Sequence, residues 1–95
     1  MSGRDEIEAR RREIDRIDDS IVDLLVGRAR CAIEIGELKR LEKTPVRDPA
    51  REAEVLARLK ERARGKLDAS AIESVWERIM ELTRRLQEQK QERVP

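Results

Sequence analysis

One apolar pattern limits what this chain can fold into. From Ile7 the hydrophobic positions recur at helical spacing through Ile14, Ile17, Ile21, Leu24, Leu25, Cys31, Ala32, Ile35 and Leu38, and no proline intervenes before Pro45. Gly27 and Gly36 lie inside the run at a tolerable cost of about 1 kcal/mol each. The pattern predicts a first helix from about Asp5 to Leu41. Such a helix of about 37 residues extends ~55 Å, nearly twice the diameter of a small domain. Two shorter helices of similar total length cover only one side of it and leave the rest of its stripe wet. The stripe also keeps a seven-residue step, Ile7, Ile14, Ile21 and then Ile35, which is the seam of another long helix. These features predict a homodimer with the first helices packed together; the alternative is a monomeric bundle with a kinked first helix.

The remaining sequence is also helical. Glu42 to Arg47 reads as a loop, because Pro45 disfavours helix at Thr44. Asp48 followed by Pro49 is a start signal, an N-cap carboxylate before a proline in the first turn. The second helix places Val55, Leu56, Leu59 and Ala63 on one face and ends near Gly65. Asp68 opens a third, with Ile72, Val75, Trp76, Ile79, Leu82, Thr83 and Leu86 facing inward. Beyond Leu86 the chain is polar to Pro95 and is expected to fray. The fold class is therefore all-α, three helices per chain, one long and two shorter. A single domain is expected over 1–95, folded over about residues 5–90, and its length leaves no room for a separate regulatory domain.

Composition narrows the function. Charged residues make up 45% of the chain, yet 22 Lys+Arg against 21 Asp+Glu leave a net charge of +1. That balance argues against intrinsic disorder and against a polybasic nucleic-acid binder. No apolar run approaches the ~20 residues needed to span a bilayer, and the charged start Ser2-Gly3-Arg4-Asp5-Glu6 is unlike a signal peptide. One cysteine, Cys31, excludes an intramolecular disulfide, and the lack of histidine argues against zinc and removes the commonest general base at neutral pH. A reduced, cytoplasmic, metal-free protein is expected, with Cys31 as a core filler.

Several polar residues fall where the pattern calls for a core. Arg28 occupies the step between Ile21 and Ile35. Lys39 projects from the same face eleven residues on. Glu52 sits one turn before Leu56, and Thr83 and Gln87 extend the line of Trp76 and Ile79. Singly, each has a plain reading: Arg28 pairs with Glu52, Lys39 snorkels to water, Gln87 is a surface residue, and Arg47 and Arg51 are solvated charges. Together, cations, an acid, a hydroxyl and an amide converging on an apolar bundle look like a pocket for a small polyanion. Arg11 flanks the same stripe but lies seventeen residues from Arg28, ~25 Å along the axis. One small ligand cannot bridge that span within a chain, whereas antiparallel long helices bring Arg11 of one subunit to the Arg28 region of the other.

Three segments, IDRIDDSIVDLL followed by Arg28, IEIGELK ending at Lys39, and TPVRDPARE across Thr44–Glu52, resemble the all-helical bacterial chorismate mutases. The resemblance covers about Ile7 to Gln87. It implies an intertwined dimer and, at matching positions, ligand contacts from Arg11, Arg28, Lys39, Asp48, Arg51, Glu52, Thr83 and Gln87. The family often has serine at the Thr83 position. Arg84 and Arg85 make the third helix more basic than the resemblance explains.

The implied reaction converts chorismate to prephenate, a unimolecular [3,3] rearrangement needing no nucleophile, cofactor or metal. Guanidinium groups suit the two carboxylates of the substrate. By resemblance, Lys39 and Gln87 are catalytic, facing the negative charge that develops on the ether oxygen. Arg28 and the partner's Arg11 hold carboxylates, Arg51 and Thr83 support them, and Glu52 with the Asp48 backbone takes the ring hydroxyl. Asp48 also has its structural reading as an N-cap. The alternatives are isochorismate-pyruvate lyase, which shares the fold, and a non-catalytic helical dimer that binds a metabolite or partner helix. The RDPARE segment with Glu52 disfavours the first, and the inward polar set disfavours the second.

Overall fold

A computed structural model describes residues 2–92 of the chain and the side chains of residues 2–88. Helix α1 spans Gly3–Leu41, α2 Pro49–Ala63 and α3 Ala69–Glu92, with no strand among the described residues. All three expected helices are present. The chain divides into two compact units, Met1–Cys31 and Ala32–Pro95.

In the first unit α1 begins two residues before the expected Asp5, because Ser2 caps it. The Ser2 hydroxyl accepts from the Asp5 N–H at 3.2 Å, and its carbonyl accepts from the Glu6 N–H. Asp5 and Glu6 then place negative charge in the first turn, where the helix dipole favours it. Short-range pairs, Arg10–Glu13 and Arg11–Glu8, both at 2.9 Å, lace the polar surface, each contributing only a few tenths of a kcal/mol. The apolar stripe is uncovered: Ile7 and Ile14 are each 54% exposed and Leu24 72%. Cys31, expected in the core, is exposed too. A lone helix has nothing of its own to bury such side chains against.

In the second unit the chain leaves α1 through a turn that satisfies the last carbonyls. Lys43 adopts a left-handed conformation (φ 61°). Its N–H donates to the Arg40 carbonyl, and the Thr44 N–H donates to the Lys39 carbonyl at 2.9 Å. This is a Schellman motif, with lysine where glycine is usual and Pro45 shortly after to stop the helix. Between α2 and α3, Arg64 (φ −51°, ψ 127°) and Gly65 (φ 79°) form a type II turn closed by the Lys66 N–H on the Ala63 carbonyl at 2.8 Å. The third position of the turn requires positive φ, which glycine adopts without strain. Two cross-helix ion pairs, Lys60–Glu73 at 2.8 Å and Arg84–Glu52 at 2.7 Å, set α2 antiparallel to α3.

The apolar centre of this unit is Val55, Ala63, Ile72 and Met80, with Gly36 of α1 also buried. Val55, Ala63 and Ile72 match expectation, whereas Met80 does not. The face of α3 that meets α2 follows the four-residue step Ile72, Trp76, Met80. Val75 and Leu82, expected inside, lie off that line and are 52% and 46% exposed. Ile35 and Leu38 on α1 are likewise exposed, at 50% and 59%. Instead of fraying after Leu86, α3 stays helical to Glu92. The end of the expected polar tail, residues 93–95, lies outside the described residues.

Asp48 starts α2 as expected: its Oδ1 accepts from the Arg51 N–H at 3.0 Å, with Pro49 in the first turn. That backbone hydrogen bond, assisted by Lys39, holds the Asp48 carboxyl below its ordinary 3.8 against a smaller opposing effect of desolvation. A depressed folded pKa stabilises the fold above the unfolded value, and the contribution is lost as pH falls through the folded one. Asp48→Asn keeps a cap acceptor but cannot titrate. We expect the parent to be more stable than Asp48→Asn at neutral pH. The difference should shrink below about pH 5 and vanish once Asp48 is protonated, as read by urea unfolding across pH. A difference constant with pH would show that the charge contributes nothing.

Candidate active site

The second unit holds Lys39, Asp48, Arg51, Glu52, Thr83 and Gln87. Lys39 lies in the last turn of α1, where its carbonyl is anchored by both the N–H and the hydroxyl of Thr44, the latter at 3.2 Å. Its ammonium donates to the Val46 carbonyl at 3.5 Å and to Asp48 Oδ2 at 3.4 Å. The side chain is 26% exposed, so Lys39 is more enclosed than a snorkelling surface lysine. Asp48 divides its oxygens, Oδ1 to the start of α2 and Oδ2 to Lys39. Arg51 enters this network through its backbone N–H; its guanidinium is exposed and lies 4.0 Å from Glu54.

Glu52, in the first turn of α2, is half-buried and accepts from Arg84 Nη1 at 2.7 Å. This answers the question posed by the basic pair on α3. Arg84 crosses to Glu52, and Arg85 pairs with Glu81 on its own helix at 2.8 Å. In the sequence alone Arg84 has no evident partner, yet a signal for one is present. Trp76, Met80 and Arg84 follow one four-residue step, so Arg84 projects along the side of α3 that meets α2. Thr83, beside it, is half-buried and donates to the Ile79 carbonyl one turn back at 2.9 Å.

Gln87 is held across helices. Its Nε2 donates to the Ala32 carbonyl of α1 at 2.7 Å. Gly36 makes room for it, since a Cβ there would lie 3.4 Å from Gln87 Cγ, 3.5 Å from its Nε2 and 3.5 Å from Val46 Cγ1. An amide nitrogen carries two N–H groups, so the bond to Ala32 fixes the amide orientation and leaves one donor for a ligand. Val46 therefore touches both the Gln87 neighbourhood, through Gly36, and Lys39, through its carbonyl. The result is an ammonium, an amide donor and two carboxylates, each carboxylate with a cation beside it. Such an arrangement can donate to an oxygen that gains charge while accepting from a hydroxyl.

Arg11 and Arg28 lie in the first unit. Arg11 is exposed and paired with Glu8, and Arg28 is half-buried and engaged by a neighbouring group. No group of His, Cys, Asp and Glu among the described residues could hold a metal ion.

The description "chorismate mutase type II" belongs to the family whose sequence model matches residues 10–88. A bifunctional chorismate mutase/prephenate dehydratase of Stutzerimonas stutzeri is 36% identical over 85 residues, which cover 84% of this chain and 23% of that protein. The chain thus spans less than a quarter of that relative's length. Among solved structures, form II of the Thermus thermophilus chorismate mutase aligns with a TM-score of 0.84 at 35% identity, over 87% of this chain and 94% of that one. The Helicobacter pylori chorismate mutase, solved in complex with prephenate, aligns with a TM-score of 0.87 at 28% identity, over 96% and 99%. With its three helices and a family match running from Arg10 to Glu88, the chain belongs to the chorismate mutase type II family.

Proposed function

We propose that this chain converts chorismate to prephenate, and that it does so as a homodimer. The observation that carries the reading is the junction of Lys39 and Gln87 at Val46 and Gly36, in a chain whose family match spans both residues. In the rearrangement the ether C–O bond breaks as a C–C bond forms, and negative charge develops on the ether oxygen. The ammonium of Lys39 and the remaining N–H of Gln87 stabilise that charge more in the transition state than in the substrate. Arg28 and Arg11 of the partner subunit hold the two carboxylates and favour the compact conformer that reacts. Arg51 and Thr83 support them, and Glu52 with the Asp48 backbone accepts the ring hydroxyl. The reaction requires no cofactor.

The dimer is supported by the bare apolar stripe of α1 and by the ~25 Å that separates Arg11 from Arg28 within one helix. No helix among the described residues is long and apolar enough to cross a membrane. A lone free cysteine suits a reducing, cytoplasmic setting.

Purified protein should deplete chorismate, followed by its absorbance, and produce prephenate. No depletion contradicts the proposal, and pyruvate release from isochorismate would instead identify a lyase. Gln87→Glu should work only when its carboxyl is protonated, because a carboxylate repels both the Ala32 carbonyl and the ether oxygen. Its rate should rise as pH falls while the parent changes much less; matching pH profiles would remove Gln87 from the ether-oxygen role.

Complementation tests the shared site. Arg11→Ala and Arg28→Ala homodimers should each be nearly inactive. Unfolded together and refolded in equal amounts, about half of the dimers should be mixed, and each mixed dimer should contain one complete site. Recovery should approach about one quarter of the parent activity. Mixed dimers seen by mass spectrometry without recovered activity would exclude Arg11 from its neighbour's site.

A further inference from the structure

We propose that Arg84 is a positioning residue for this reaction: it holds the Glu52 carboxylate as the acceptor for the substrate's ring hydroxyl and cancels the charge that Glu52 would otherwise present to a dianion. The inference rests on the reaction proposed above and concerns a residue that the family resemblance leaves without a role.

A pocket for a dicarboxylate gains from cations, and a carboxylate in it costs binding unless a cation compensates it. Two acids lie at the start of α2, where Asp48 meets Lys39 and Glu52 follows one turn on. Asp48 is compensated by Lys39 and by the Arg51 N–H. Glu52 is compensated by Arg84, at 2.7 Å from Oε2, with the two side chains 26% and 34% exposed respectively. Six of the nine ion pairs among the described residues join positions three or four apart in sequence, a spacing that needs no tertiary contact. Arg84–Glu52 spans 32 residues and joins α2 to α3.

A cross-helix pair can serve the fold alone, and Lys60–Glu73, near the turn between α2 and α3, has that character. Arg84–Glu52 lies at the opposite end of the pair, in the first turn of α2 and beside Thr83. Only Oε2 of Glu52 is engaged among the described residues, so Oε1 is left to accept a hydroxyl. A guanidinium suits this task because its charge is permanent and its Nη1 holds Oε2 at 2.7 Å. One oxygen is held, the other is left as an acceptor, and the pair adds no net charge to a site for an anion.

The test is a double-mutant cycle on the full chain with chorismate as substrate, reading kcat, KM and thermal stability for the parent, Arg84→Met, Glu52→Gln and the double variant. Glu52→Gln keeps an acceptor oxygen without charge. In the parent background Arg84→Met should raise KM about 10-fold while kcat changes less, because an uncompensated Glu52 repels the dianion. Arg84→Lys should recover most of that loss. In the Glu52→Gln background, Arg84→Met should change KM by less than about 2-fold, since the charge it compensates is gone. Equal losses in both backgrounds, or no loss in either, would overturn the positioning role. If Arg84→Met does not fold, Arg84→Gln carries the same comparison, keeping a donor but no charge. A parent that leaves chorismate unchanged would overturn the reaction itself and the positioning role with it, an outcome distinct from an active parent with equal losses.

Discussion

The apolar face of α1 from Ile7 to Leu24 stands about half exposed in a single chain, and covering it is the demand on which the rest of the account depends. Burying the remaining half of an Ile or Leu side chain yields roughly 1 kcal/mol, so Ile7, Ile14, Ile17, Ile21 and Leu24 offer on the order of 5 kcal/mol per chain. Two chains then bring on the order of 10 kcal/mol, within the roughly 4–15 kcal/mol that association itself costs. Ile35, Leu38, Val75 and Leu82 add further apolar surface from the second unit. A monomer would have to leave all of it in water, an unusual burden for a chain of 95 residues.

Where the first unit supplies apolar surface, the second supplies order among polar groups. Backbone motifs do much of this. Thr44 anchors the Lys39 carbonyl, Asp48 both caps α2 and receives the Lys39 ammonium, and the Ala32 carbonyl orients the Gln87 amide. Each side chain is thus fixed by a bond made for the fold, and a rearrangement that depends on aimed donors benefits from that rigidity. The acids are kept harmless in the same way, one cation to each. Gly36 supplies the clearance that lets Gln87 approach α1 closely.

Local signals made much of the architecture legible in the sequence. Asp48-Pro49 marked the start of α2, Pro45 marked the loop, and the helix beginning near Asp5 and ending at Leu41 followed from unbroken periodicity. Periodicity reveals which face is apolar but not what covers it, and so Cys31, Val75 and Leu82 were expected inside and are exposed in the chain alone, as are Ile35 and Leu38 of the α1 stripe. The inward set expected on α3 included Val75 and Leu82 but not Met80 or Arg84, which continue the four-residue step from Ile72 through Trp76. The Lys39–Asp48 and Arg84–Glu52 pairs depend on how separate elements meet, which spacing alone does not encode. Of the candidate site, polar residues on apolar stripes (Arg28, Lys39, Glu52, Thr83 and Gln87) raised the expectation of an anion pocket, whereas individual roles came only through resemblance to a family.

In the proposed enzyme a second copy of the chain covers the α1 stripe, and the site is complete only then. Sedimentation equilibrium at micromolar concentration, on protein verified as active towards chorismate, tests it most directly. The mass should be twice the 11.1 kDa of one chain, with activity per chain falling on dilution into the range where the dimer dissociates. A folded species at the mass of one chain, with activity per chain unchanged across that range, would contradict it.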